Sequence, residues 1–103
     1  MARLIVSLLA QADTTYIAHD LAFKAGHAVA ARYLESFEEL YARVADWPEI
    51  GAPRPALGPH VRIGIVSPYV ALYEYDVAQG TVTIFRVVHG RRKITGKMLL
   101  MGR

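Results

Sequence analysis

Four prolines and two glycines fall between Pro48 and Pro59, and this interruption constrains the fold more than any other feature of the chain. Proline locks φ and lacks an amide proton, so the stretch can be neither regular helix nor central strand and has to run over the surface as a fixed connection. On its N-terminal side apolar residues recur at helical spacing, and on its C-terminal side they are β-branched and aromatic. An α+β domain is therefore predicted, with a helical part preceding a sheet part. A length of 103 residues corresponds to a single domain with room for one core.

From about Leu8 to Ala25 there is no Pro or Gly, Ser7 is placed to cap the start, and Ala10, Ile17 and Leu21 share one side. From His27 to about Ala45 the stripe is fuller, with Ala30, Tyr33, Phe37, Leu40, Tyr41 and Val44 at spacings of three and four. Gly26 punctuates the two segments, which predicts a helical hairpin. Glu35, Glu38 and Glu39, with Arg32 and Arg43, read as a solvated helix face rather than an acid–base pair. Past the prolines, Val61 to Val66, Tyr69 to Tyr75 and Thr81 to Val88 are separated by short turns and predict an antiparallel meander. With Leu4 to Ser7 as another strand, the order is β-α-α-β-β-β: an antiparallel sheet packed by a helical hairpin, then a C-terminal tail that can be helical. Strict alternation sends Val82, Ile84, Arg86 and Val88 to one face and Thr83, Phe85, Val87 and His89 to the other. That leaves more apolar surface than one hairpin covers, a face expected to receive a partner or the tail itself.

Charge is segregated. Six of the twelve Lys and Arg residues lie from Arg86 onward, and the last acidic residue is Asp76, so the C-terminal end suits a polyanion or an acidic protein. The absence of cysteine removes disulfides, thiolate catalysis and thiolate metal sites, and is compatible with a reducing cytoplasm. Leu4 to Ala10, with the small-x-small triplet Ala10-Gln11-Ala12 at its end, is at the short end for a signal sequence, and cleavage there would remove the segment Leu4 to Ser7 that reads as a strand. No apolar run approaches the roughly 20 residues of a membrane span. His19, His27, His60 and His89 are scattered without a second ligand at metal spacing, so neither a metal nor another cofactor is expected. Ser7, Ser36 and Ser67 lack a nucleophile's setting. His89, before Gly90 at a strand exit, reads as a structural imidazole bonded to backbone, and no catalytic residue is assigned.

An ordered set of short motifs runs through the chain. It comprises Leu9-Ala10-x-x-Asp13, Tyr16-Ile17, Gly26 with Ala30 and Ala31, and Trp47-Pro48-x-x-Gly51-x-x-Arg54 with Leu57. Val61-Arg62, Pro68-Tyr69-x-x-Leu72-Tyr73 and Arg86-Val87-x-His89-Gly90-x-Arg92 complete it. Taken in order, these resemble the ParE branch of the ParE/RelE toxins of type II toxin–antitoxin systems, over nearly all of Arg3 to Leu99. The resemblance implies a cytoplasmic toxin that inhibits growth and stabilises plasmids, binds DNA gyrase without doing chemistry, and is neutralised in a hetero-oligomer with a ParD-like antitoxin. On that reading, gyrase contacts are expected from the segment Arg91 to Met101, with Arg91, Arg92, Lys93, Lys97 and Met98 as candidates. Ile94, Met98 and Met101 would form one side of it if it is helical. Antitoxin contacts are expected at Tyr33, Phe37, Tyr69, Leu72, Tyr73 and Phe85.

RelE-type relatives suggest a second reading, a metal-independent endoribonuclease acting on ribosome-bound mRNA. Aligned on such an ending, Arg92 keeps a cation, but the terminal tyrosine position falls on Met98 and the arginine after the middle-strand tyrosine falls on Val70. Arg54, Arg62, Arg86, Arg91, Arg92 and Lys93 remain able to bind phosphates, although sequence-specific nucleic-acid binding is not expected. A third reading is a non-toxic module that retains only partner binding.

Overall fold

A computed structural model describes residues 1–92 and 94. In chain order it contains β1 (Arg3–Val6), α1 (Leu8–Ala25), α2 (His27–Asp46), β2 (Ala52–Pro53), β3 (Val61–Val66), β4 (Tyr69–Asp76) and β5 (Thr81–His89). Ser7 joins β1 to α1 as the cap that the sequence called for, its Oγ accepting the Ala10 N–H at 3.0 Å. Its hydroxyl also donates to the Phe85 carbonyl at 2.7 Å, which fastens the helix start to the sheet. The hairpin turns at Gly26, whose φ of 96° lies in the region that side chains with a Cβ rarely adopt. α2 starts in the next residue.

The sheet order is β1-β5-β4-β3-β2. β3, β4 and β5 form the expected antiparallel meander, but β1 pairs with β5 in parallel, so the five-stranded sheet is mixed. A tight hairpin forces neighbouring strands antiparallel; β1 reaches its neighbour only after the helices and the meander, so nothing imposes that direction. The proline-rich connection contributes one unexpected piece, β2, which pairs Ala52 and Pro53 with Ile63 and Arg62 of β3. It lies at the sheet edge, where a residue without an amide proton is tolerated.

Two apolar clusters lie on either side of the sheet. On the helical side Ala10, Ile17, Phe37, Leu40 and Val44 pack on Ala71, Tyr73, Val82, Ile84 and Val87. Gly64 lets α2 come close, since a Cβ there would lie 2.8 Å from Leu40 Cδ1. On the other side Val61, Ile63, Leu72 and Phe85 are buried, with Leu57, Val70 and Ile94 packed against them. Strict alternation along the last strand is broken by a bulge: Leu72 opposes Arg86 while Tyr73 opposes Ile84, which leaves Phe85 as the extra residue. Ile84 and Val87 therefore both face the helices, and Phe85 joins Leu72 behind. The face expected to lie open is thus a second small core, closed in part by Leu57 from the connection and by Ile94. The proposed helical tail beyond Ile94 lies outside the described residues.

Candidate functional site

β1 ends at Val6, opposite Ile84, whereas β5 runs on to His89. Among the described residues, the outer edge of β5 beyond Ile84 is left without a strand, and its buried amides still require acceptors. Asp13 on α1 supplies one, its Oδ2 accepting the Val87 N–H at 2.9 Å. The same carboxylate takes Arg86 bidentately, with Nε to Oδ2 at 2.8 Å and Nη2 to Oδ1 at 3.0 Å. The side chains are 11% and 16% exposed for Arg86 and Asp13, so this is a largely desolvated pair. Hydrogen bonding to Asp13 pushes the Arg86 guanidinium further up, against the opposing effect of burial. Arg86 is therefore part of the scaffold rather than a phosphate contact. Close by, the buried Tyr41 hydroxyl has no hydrogen-bond partner among the described residues, and burial followed by the Asp13 charge pushes it up to about 12.

Next along β5, aromatic rings gather around Tyr69. Tyr33 meets it edge-on at 5.7 Å between centroids, Phe37 at 5.9 Å and the His89 ring at 5.8 Å. The chain then turns sharply. Gly90 N–H bonds the Pro68 carbonyl at 2.7 Å, Arg92 N–H bonds the His89 carbonyl at 2.9 Å, and Arg91 N–H donates to His89 Nδ1 at 3.1 Å. His89 is therefore an imidazole bonded to backbone through Nδ1, as expected. A cleft of about 280 Å³ opens here between α1 and the exit of β5, lined by Tyr16, Asp20, Tyr69, His89 and Arg92 among others. Arg91 and Arg92 are both exposed, and Arg92 lines the cleft. No ion pair engages either among the described residues.

Of the residues expected to meet an antitoxin, Tyr33, Phe37 and Tyr69 come together in this cluster, although Phe37 is buried beneath the two tyrosines. Leu72 and Phe85 sit together in the rear core, 0% and 5% exposed, so they shape a surface from below rather than form it. Alternation alone sets Phe85 on the face opposite Ile84, and the bulge instead carries Val87 over to the helical side. Tyr73 is also fully buried. Its hydroxyl donates to the Pro48 carbonyl at 2.8 Å and accepts from Gly51 N–H at 2.9 Å, so it anchors the turn after α2. Of the gyrase candidates, Lys93, Lys97 and Met98 lie outside the described residues.

Arg62 secures the same turn through Nη1, which donates to the Glu49 and Gly51 carbonyls at 2.8 Å each. This explains the Trp47-Pro48-x-x-Gly51 motif and withdraws Arg62 from the candidate phosphate ligands. Gly51 is required by space: a Cβ there would collide with the Ile63 carbonyl and the Tyr73 ring. Gly51→Ala is expected to lower stability by about 1–3 kcal/mol through this overpacking, read as a lower denaturant midpoint at unchanged m-value. A loss below about 0.5 kcal/mol would mean that the turn shifts freely.

The family model described as ParE toxin of type II toxin-antitoxin system, parDE, matches residues 4–94. No curated protein matches the sequence. Among solved structures, the fold is similar to a chain of the toxin–antitoxin complex RelBE2 from Mycobacterium tuberculosis. That match has a TM-score of 0.60 at 22% identity and covers 85% of this chain and 96% of the other. It is also similar to a chain of the chromosomal ParDE toxin–antitoxin system from P. aeruginosa, with a TM-score of 0.62 at 22% identity, covering 86% of this chain and 96% of that one.

Proposed function

The chain belongs to the ParE toxin family of type II toxin–antitoxin systems, and on that premise we propose that it arrests growth by binding DNA gyrase and is neutralised by a ParD-like antitoxin. The observation that carries the gyrase reading is the exit of β5. Arg91 and Arg92 leave a well-anchored turn exposed, and Lys93, Lys97 and Met98 follow in the segment proposed to reach the target. A turn held by Gly90 and His89 presents these cations with little ordering left to do on binding. The antitoxin is proposed to fold an acidic, apolar segment onto the Tyr33, Tyr69 and His89 cluster and so form a hetero-oligomer in the cytoplasm.

Binding rather than catalysis is the proposed mode of action. Val70, at the position where a RelE-type chain carries an arginine, packs against the rear core, and His89 Nδ1 is engaged by backbone. Neither is arranged to stabilise a phosphorane or to take a proton. The test is a supercoiling and cleavage assay with purified toxin, gyrase and plasmid, run beside cleavage of ribosome-programmed mRNA. Gyrase-dependent linear DNA or loss of supercoiling, with intact mRNA, is the expected result. Cut mRNA with normal gyrase would overturn it in favour of the endoribonuclease, and inactivity in both would leave a binding module alone.

A further inference from the structure

The turn between α2 and β2 exposes what a folded chain ordinarily hides. Trp47 is 68% exposed and Ile50 56%, yet their backbone is held from below by Tyr73 and Arg62, through the hydrogen bonds to Pro48, Glu49 and Gly51. Ile50 N–H adds a bond of 3.0 Å to the Trp47 carbonyl. A loosely held turn could fold its apolar side chains inward, whereas this one is fixed with them outward. Trp47, Pro48, Ile50 and Tyr75 wall a cleft of about 450 Å³, and Asp46 and Glu49 complete its lining. Neither carboxylate has an ion-pair partner among the described residues. Arg62, whose guanidinium is bonded into the turn, is directed to the Glu49 and Gly51 carbonyls instead. The exposed Arg91 and Arg92 leave the sheet at the far end of β5.

We propose that this cleft is a binding site for an arginine side chain, presented by an extended segment of a partner protein. A guanidinium is flat, permanently charged and weakly hydrated, so it stacks on an indole and pairs with a carboxylate at the same time. The volume suits one long side chain with its flanking backbone. An apolar occupant would strip water from two carboxylates and return no partner, and an anionic one would be repelled. The preformed turn lowers the ordering cost of capture. The site is independent of whatever the basic exit of β5 engages.

Trp47 is the sole tryptophan of the chain, so its emission reports on this cleft and nothing else. The full chain is titrated with an acetylated, amidated Gly-Arg-Gly peptide and with its citrulline counterpart, which has the same shape without the charge. The expected result is a saturable change in Trp47 emission with the arginine peptide only. It should weaken with added salt, and by about five- to tenfold in the Asp46→Asn, Glu49→Gln double variant, since each exposed charge pair accounts for a factor of a few. The double variant keeps the tryptophan, and an unchanged melting curve shows that it folds. A non-saturating response, an equal response to the citrulline peptide, or undiminished affinity in the double variant would overturn the proposal.

Discussion

Asp13→Ala is expected to cost about 3–5 kcal/mol of stability, the penalty for leaving a buried charge without its partner. The substitution removes three bonds at once: both from Arg86 and the one from the Val87 amide. The guanidinium, 11% exposed, cannot rehydrate without opening the seam between α1 and β5. Against a total of roughly 5–15 kcal/mol for a small domain, the loss would lower Tm by about 15–30 °C. Two companions separate charge from geometry. Asp13→Asn keeps an acceptor for Val87 and should lose less. Replacing both partners, as Asp13→Leu with Arg86→Met, removes the orphaned charge and should recover much of the loss. A single-variant cost below about 1 kcal/mol would show that water reaches the pair and that the seam is held by packing alone.

That seam also marks where sequence reasoning reached its limit. The helices were legible because the α2 stripe repeats at 3.6 residues and Ser7 and Gly26 bracket α1, all of it local information. The meander strands were legible from composition and short turns. Asp13 and Arg86 were visible as separate motif positions, but they lie 73 residues apart in the chain. Their pairing follows only once β1 lies against β5 and stops short of its end. Nothing local announces a parallel neighbour. The bulge at Phe85 was equally invisible, because an alternating run of apolar residues reads the same with or without one extra residue. Leu72 and Phe85, read as contact residues from their apolar character, lie beneath a surface because Leu57 and Ile94 pack over that face. Tyr33, Phe37 and Tyr69 converge because the helical stripe of α2 and the start of the middle strand were both legible in the sequence.

The largest functional effect is expected from Arg91→Ala combined with Arg92→Ala. Truncating an arginine at the centre of an interface costs at least about 2 kcal/mol, so two together weaken target binding roughly a thousandfold. Induced expression should then no longer arrest growth at levels where the parent chain stops it. Stability should stay within about 0.5 kcal/mol, since both side chains are exposed and the turn itself is held by backbone groups and His89. Antitoxin binding should persist, measured by co-purification and by titration of the purified pair. Arg92 lines the cleft beside Tyr69 and His89, so the single substitutions carry the finer distinction. If Arg91→Ala alone abolishes arrest while Arg92→Ala mainly weakens antitoxin binding, the two partners use adjacent but separable surfaces. Full arrest in the double variant would remove the exit cations from the mechanism. Loss of toxicity and antitoxin binding together in either single variant, with the fold intact, would mean that both partners compete for one surface and that neutralisation is direct occlusion.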